Sequence, residues 1–172
     1  TRLFTNESNG FKQFELPKEV QFSPTFGIAV EDFNLDGLLD IALCQGFNRS
    51  YGNTEQQLNN SHLILLNHFT ATRAFKIARG TGITRNRAFP RVIGSGDFNS
   101  DNKPDIILPE FEGNVTYYAN TTIRSDGIKL QLNGNTLDLI GLKARLKYTD
   151  GSKGPLYEYT PKYGYRKEAP NY

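Results

Sequence analysis

Short apolar runs rich in Ile, Val, Leu, Phe and Tyr recur along the chain, each bounded by Gly, Asn or Asp clusters, and no stretch sustains the periodicity of a helix. The pattern predicts strands over residues 27–31, 41–45, 62–67, 74–78, 92–96, 106–109 and 115–120. Further on, Ile128, Leu130 and Leu132 alternate with polar residues. After Asn133-Gly134, Leu142, Ala144, Leu146 and Tyr148 alternate with Lys143, Arg145 and Lys147, as half-buried strands with one basic face would. That basic row reads either as a docking face for an acidic glycan or phosphate, or as a solvated face whose lysines protect a sheet edge. Beyond Asp150-Gly151 the composition turns to Tyr, Pro, Gly and Lys, with Tyr157, Tyr159, Tyr163, Tyr165 and Tyr172, a tail expected to lie on another surface or on a neighbouring subunit.

The strands belong to a repeat. The segment from Phe26 to Leu43 returns as Arg91 to Leu108, a shift of 65 residues from Asp32 to Asp97. A second element recurs between and around these copies: Leu3-Phe4-Thr5-Asn6 followed by Gly10-Phe11, Leu65-Leu66-Asn67 followed by Phe75, and Tyr117-Tyr118-Ala119-Asn120. Two complete units and one partial unit are visible. Small antiparallel sheets repeated radially are one way for such units to bury faces that a lone sheet leaves wet.

Each copy carries a loop of hard oxygen donors. Asp32-x-Asn34-x-Asp36-Gly37-x-x-Asp40 is matched by Asp97-x-Asn99-x-Asp101-Asn102-x-x-Asp105. Side chains at the first, third and fifth places converge only if the backbone curls, and the sixth residue must turn sharply, which Gly37 does freely and Asn102 tolerates. The carbonyls of Leu38 and Lys103 would add a seventh-place oxygen, and Asp40 and Asp105 would close the shell. All-oxygen ligation with several carboxylates selects calcium, two ions in all. An EF-hand is excluded because its twelfth place needs a bidentate Glu between helices, whereas Leu43 and Leu108 stand there inside apolar strands. Without an ion, the clustered carboxylates would repel one another.

These loops, with the Gly-containing strand before them and the Asp-Ile-x-Leu strand after them, resemble the FG-GAP (VCBS-type) repeat of integrin-α-like β-propellers. The element from Asn6 to Phe11 and its echo from Asn67 to Phe75 are most similar to the cartilage acidic protein family. Gly141 to Leu146 with Asp150-Gly151 resembles the start of that family's C-terminal UnbV/ASPIC module. The resemblance implies an all-β chain of propeller-type repeats, two to three blades of an incomplete propeller over residues 1–123 in units around 1–66 and 67–123, then a small β-hairpin module and Tyr/Pro/Gly-rich tail over 124–172. It implies calcium in the loops and an extracellular interaction or adhesion scaffold. The alternative is a structural subunit of a filament or multi-subunit assembly, with blades completed between chains.

Composition narrows the classes further. At 172 residues with 37% hydrophobic content, the chain has the core material of about one modest domain. A net charge of +2 gives no electrostatic case for nucleic acid, and no apolar run reaches the length of a membrane span. Partners are expected to be other proteins, glycans, or copies of the chain meeting through open sheet edges and the Tyr-rich tail. The lone Cys44 closes no intrachain disulfide and reads as a small buried hydrophobe. No methionine is present and the first residue is Thr1, as in a mature chain or an excised segment. Five sequons begin at Asn6, Asn48, Asn59, Asn114 and Asn120, where chance predicts about two, which points to a secreted glycoprotein. His62 and His68 flank one expected strand with no nucleophile motif beside them, so the chain is read as non-catalytic.

Overall fold

The computed structural model describes residues 1–21, 23–46, 62–68, 74–83, 91–109, 114–123, 132–133 and 135–159. The chain is all-β, built from several small antiparallel sheets, none of them closed. Strands β1 (Leu3–Glu7) and β2 (Gly10–Phe14) form a hairpin, and a 3₁₀ turn at Lys18–Gln21 leads onward. A four-stranded meander follows: β3 (Thr25–Glu31), β4 (Asp40–Gln45), β5 (Leu63–Asn67) and β6 (Phe75–Ile77). Then come three strands, β7 (Gly94–Gly96), β8 (Asp105–Pro109) and β9 (Val115–Tyr118). A single helical turn, α1 (Thr136–Leu139), precedes the hairpin of β10 (Lys143–Lys147) and β11 (Lys153–Glu158).

The repeat seen in the sequence is a repeat of strands. β3 and β4 align with β7 and β8, and the recurring Asn element places β1 and β2 over β5 and β6 in one register: Asn6 lies opposite Phe11 as Asn67 lies opposite Phe75. The first sheet is buried on both faces because its strands alternate two apolar sets. Ala42, Cys44 and Ile64 point one way, joining Ile93, Ile106 and Leu108 of the second sheet in one core. Leu43, Leu63 and Leu65 point the other way, onto Val20 and Leu16 of the N-terminal segment. On that side Phe14 of β2 also meets Phe75 of β6 edge to face, with ring centroids 6.0 Å apart.

The two sheets come close together at Gly27. A Cβ there would lie 2.9 Å from the Ile93 backbone nitrogen and 3.1 Å from the Ile93 Cγ2. A side chain at this point would push backbone against backbone, so Gly27→Ala is expected to destabilise the fold by about 1–3 kcal/mol. Gly94→Ala, whose Cβ would have no neighbour nearer than 3.8 Å, serves as the control and should leave the denaturant midpoint nearly unchanged.

The C-terminal hairpin departs from the expectation. The sequence assigns Tyr157 and Tyr159 to an irregular tail, yet Lys153–Glu158 is a strand, with Tyr157 opposite Ala144 and a 3.4 Å ion pair between Lys143 and Glu158. The Asp150-Gly151 turn makes this pairing, closed by the Asp150 carboxylate accepting from the Ser152 N–H at 2.8 Å. The alternating apolar face is less covered than expected, with Leu142, Leu146 and Tyr148 all exposed, because two strands alone bury little. Residues 128, 130, 163, 165 and 172, which carry the other tail expectations, lie outside the described residues.

Candidate functional site

The two Asp/Asn loops join β3 to β4 and β7 to β8, and their backbones follow the same path. Leu35 and Gly37 in the first loop have φ of 58° and 88°, and Ser100 and Asn102 in the second have 63° and 64°. The turn at the sixth place is as the sequence implies. Left-handed geometry at the fourth place, on a leucine and a serine, is not visible in the sequence and is held against a cost of about 1 kcal/mol or more. Hydrogen bonds hold it there. Both Asp32 oxygens accept backbone N–H groups, from Asp36 at 3.0 Å and Gly37 at 2.8 Å. Asp97 repeats this with Asp101 and Asn102, each at 3.0 Å. The Asn34 and Asn99 amide oxygens accept from Asp36 and Asp101, and the carboxylates of Asp36 and Asp101 accept from Leu38 and Lys103.

The oxygens at the first, third and fifth places therefore line the concave side of each loop. A carboxylate oxygen that accepts one N–H keeps a second lone pair for a cation. In the first loop burial raises the Asp32 carboxyl, partly countered by the N–H groups of Gly37 and Asp36. The second loop has its own internal cation, since the Lys103 ammonium sits 3.4 Å from an Asp101 oxygen.

The ninth-place residues stand apart from these. Asp40 and Asp105 are completely buried, each with one oxygen on N–H groups of its own loop and the other on the end of the third strand. Asp40 accepts the N–H groups of Phe33 at 3.0 Å, Asn34 at 3.4 Å and Asn67 at 2.8 Å. Asp105 accepts those of Phe98 at 3.1 Å and Asn120 at 2.8 Å. The amides of Asn67 and Asn120 answer by donating to the carbonyls of Leu39 at 3.0 Å and Pro104 at 3.1 Å. Each unit thus carries an Asp–Asn clamp fastening the third strand to the loop's exit. Among the described residues, no group of three or more His, Cys, Asp or Glu side chains converges well enough to hold an ion. Each loop presents carboxylates at its first and fifth places beside an Asn amide and a backbone carbonyl, while the oxygens of Asp40 and Asp105 accept N–H groups.

The two clamps differ electrostatically. Burial pushes Asp40 up to about 6, against the pull of its three N–H donors. Burial acts on Asp105 too, but the Asn120 N–H, the Tyr117 hydroxyl at 2.9 Å and the Phe98 N–H outweigh it and leave the carboxyl below its usual range. Tyr117 occupies the place that Ile64 holds in the first unit, where no hydroxyl is available. The first loop has phenols of another origin: the Tyr148 hydroxyl lies 3.6 Å from where a Gly37 Cβ would be, and Tyr157 is raised by burial first and then by Asp32 and Asp36. The C-terminal hairpin is therefore packed beside this loop.

Structure also sorts the remaining candidates. Asn6 and Asn114 are exposed, and Asn48 and Asn59 lie outside the described residues. Asn120 is committed: its amide donates to Phe33 at 2.9 Å and Pro104 at 3.1 Å, and its oxygen accepts the Thr122 N–H at 3.0 Å. A glycan on that nitrogen would replace one of its two hydrogens and so cost one of these bonds. His62 is fully buried, its Nδ1 accepting the Gln45 N–H at 3.2 Å, which places it in the framework. A cavity of about 260 Å³ lies at the seam between the sheets, walled by Phe33, Ile64, Ile83 and Ile106 and rimmed by Asn34 and Thr122.

Cys44 is fully buried, and burial pushes its thiol up to about 12. It should resist alkylation in the native protein at neutral pH and react at once in denaturant, as mass spectrometry after a timed iodoacetamide pulse would record. Because folding raises this group above its ordinary value of 9.0, its effect on stability is absent below pH 9 and turns unfavourable as pH climbs from 9 towards 12.

Comparison with protein-family models, with curated proteins and with solved structures returns no match. No helix among the described residues is long and apolar enough to cross a membrane.

Proposed function

We propose that this chain is a calcium-binding repeat module that works outside the cell as a non-catalytic interaction scaffold. The observation that carries the reading is the duplication of loop geometry: two loops one repeat apart hold left-handed backbone at the same fourth and sixth places and gather the same oxygens. A hairpin needs no such curl. A hard divalent cation does, since it must collect several oxygens from a short stretch. Asp32, Asn34, Asp36 and the Leu38 carbonyl form one donor set, and Asp97, Asn99, Asp101 and the Lys103 carbonyl form the other. Asp40 and Asp105 brace the loops from behind. The resemblance to FG-GAP repeats supports the same reading, and with it a propeller-type arrangement of two to three blades.

Bound calcium would neutralise each carboxylate cluster and fix the loop between its strands, so binding free energy becomes folding free energy. The exposed sequon residue Asn114 suits a secreted glycoprotein, and the buried Cys44 and His62 are framework residues and unsuited to reacting with substrate. Isothermal titration of the purified chain with calcium should give two sites. Asp32→Ala and Asp97→Ala should each remove one and leave the other. No heat with calcium in the wild type, or two sites surviving in both variants, would refute the assignment.

A further inference from the structure

Each sheet in the series has a leading face, turned to the unit before it, and a trailing face, turned to the unit after it. The trailing face of the first sheet is buried by the second, leaving Phe33 6% and Ile64 8% exposed. On the second sheet the same trailing face is far less covered among the described residues: Phe98, which matches Phe33, is 52% exposed, and Tyr117, which matches Ile64, is 46% exposed. Val115, two residues before Tyr117 on the same face, is 63% exposed. These rings are ordered against each other, Phe98 and Tyr117 meeting edge to face at 6.5 Å.

The other end of the series mirrors this. In the first sheet the leading face carries Leu65, fully buried against Leu43, Leu63 and Val20. The residue that matches it in the N-terminal hairpin is Phe4, 51% exposed, and the match for Phe75 is Phe11, 77% exposed. The opposite side of that hairpin is already docked, through Phe14 on Phe75. One end of the chain therefore offers an uncovered trailing face, and the other an uncovered leading face of the kind that covers trailing faces inside the molecule.

We infer that copies of this chain associate head to tail, the trailing face of the second sheet of one copy receiving the leading face of the N-terminal hairpin of the next. The contact continues the interface that already joins the two sheets. It rests on the repeat-unit reading above and names the partner of that scaffold as a second copy. Because the two patches differ, the interface is heterologous, and the series extends beyond a dimer unless the rotation per copy closes it.

The test uses two charge substitutions at exposed positions, Phe11→Lys on the leading face and Val115→Lys on the trailing face. In sedimentation velocity over a concentration series, the wild-type chain should grow past the dimer. Each variant alone should associate about tenfold or more weakly, its concentration dependence shifted accordingly. An equimolar mixture of the two should stop at the dimer, because each variant keeps one intact face. Circular dichroism melts matching the wild type would show that the variants fold. A wild-type chain monomeric at every concentration overturns the proposal while leaving the calcium reading standing, since calcium titration tests that separately. Association at wild-type strength in both single variants also overturns it, by showing that copies meet on another surface.

Discussion

Asp40→Ala is expected to lower the stability of this chain by about 3–5 kcal/mol, one of the largest effects available from a single change. The carboxylate is fully buried and accepts three backbone N–H groups from two different segments. Alanine strands those donors where water cannot replace the lost acceptor, at about 1–3 kcal/mol for each unsatisfied group. Asp105→Ala should behave alike and also free the Tyr117 hydroxyl. Asp40→Asn is the informative intermediate: its remaining oxygen keeps part of the clamp, so its loss should fall between wild type and alanine. Guanidinium unfolding with unchanged slope would report the differences as midpoint shifts. A wild-type midpoint for Asp40→Ala would mean that the clamp does not hold the sheet. The asparagine variant also separates two roles. If Asp40 braces the loop without touching the ion, the folded variant keeps two calcium sites; if it ligates, one site weakens.

Saturating calcium should raise the melting temperature by about 10–20 °C over the same protein in chelator. Ligand at a hundredfold excess over its dissociation constant adds about 2.7 kcal/mol per site, and a domain of this size gains about 2–4 °C for each kcal/mol. The loops share no ligand in the proposed sets, so the contributions should add. Asp32→Ala or Asp97→Ala should each halve the shift, and the double variant should abolish it. Magnesium at the same concentration should do much less, because a curled loop of many oxygens suits the larger ion. Scanning calorimetry with calcium and with excess chelator makes the measurement, and coincident melts would contradict the proposed role.

Much of the fold is legible in the chain itself because period-two alternation and Gly/Asn/Asp punctuation are local signals. The expected strand over residues 41–45 is β4 (Asp40–Gln45), that over 106–109 is β8 (Asp105–Pro109), and that over 74–78 is β6 (Phe75–Ile77). The loop turns at Gly37 and Asn102 are equally readable, since glycine and asparagine advertise positive φ. What escapes is the work a residue does at a distance. Asp40 reads as the ninth member of a loop, yet its strongest partner is Asn67, across a connection that local patterning says nothing about. The recurring Asn at positions 6, 67 and 120 is visible as a repeat, but its amide bonds to the Leu39 and Pro104 carbonyls need coordinates. Leu35 in left-handed geometry contradicts its own propensity and is imposed by the bonds around it. The second strand of the C-terminal hairpin is hidden for another reason: Lys153–Glu158 contains Gly154 and Pro155, which argue against a strand, and its cross-strand pairs prevail over that composition.

The clamps have a consequence for how this architecture tolerates change. In the first unit the Asp–Asn bond spans 27 residues, and in the second it spans 15. The bond lengths are both 2.8 Å, so the sheet edge is insensitive to how much chain lies between. The added closure entropy for the longer span is only about 0.5 kcal/mol. The connection between β4 and β5 is accordingly the place where foreign sequence, an epitope or a reporter peptide, should be accepted with both Asp/Asn loops left in register.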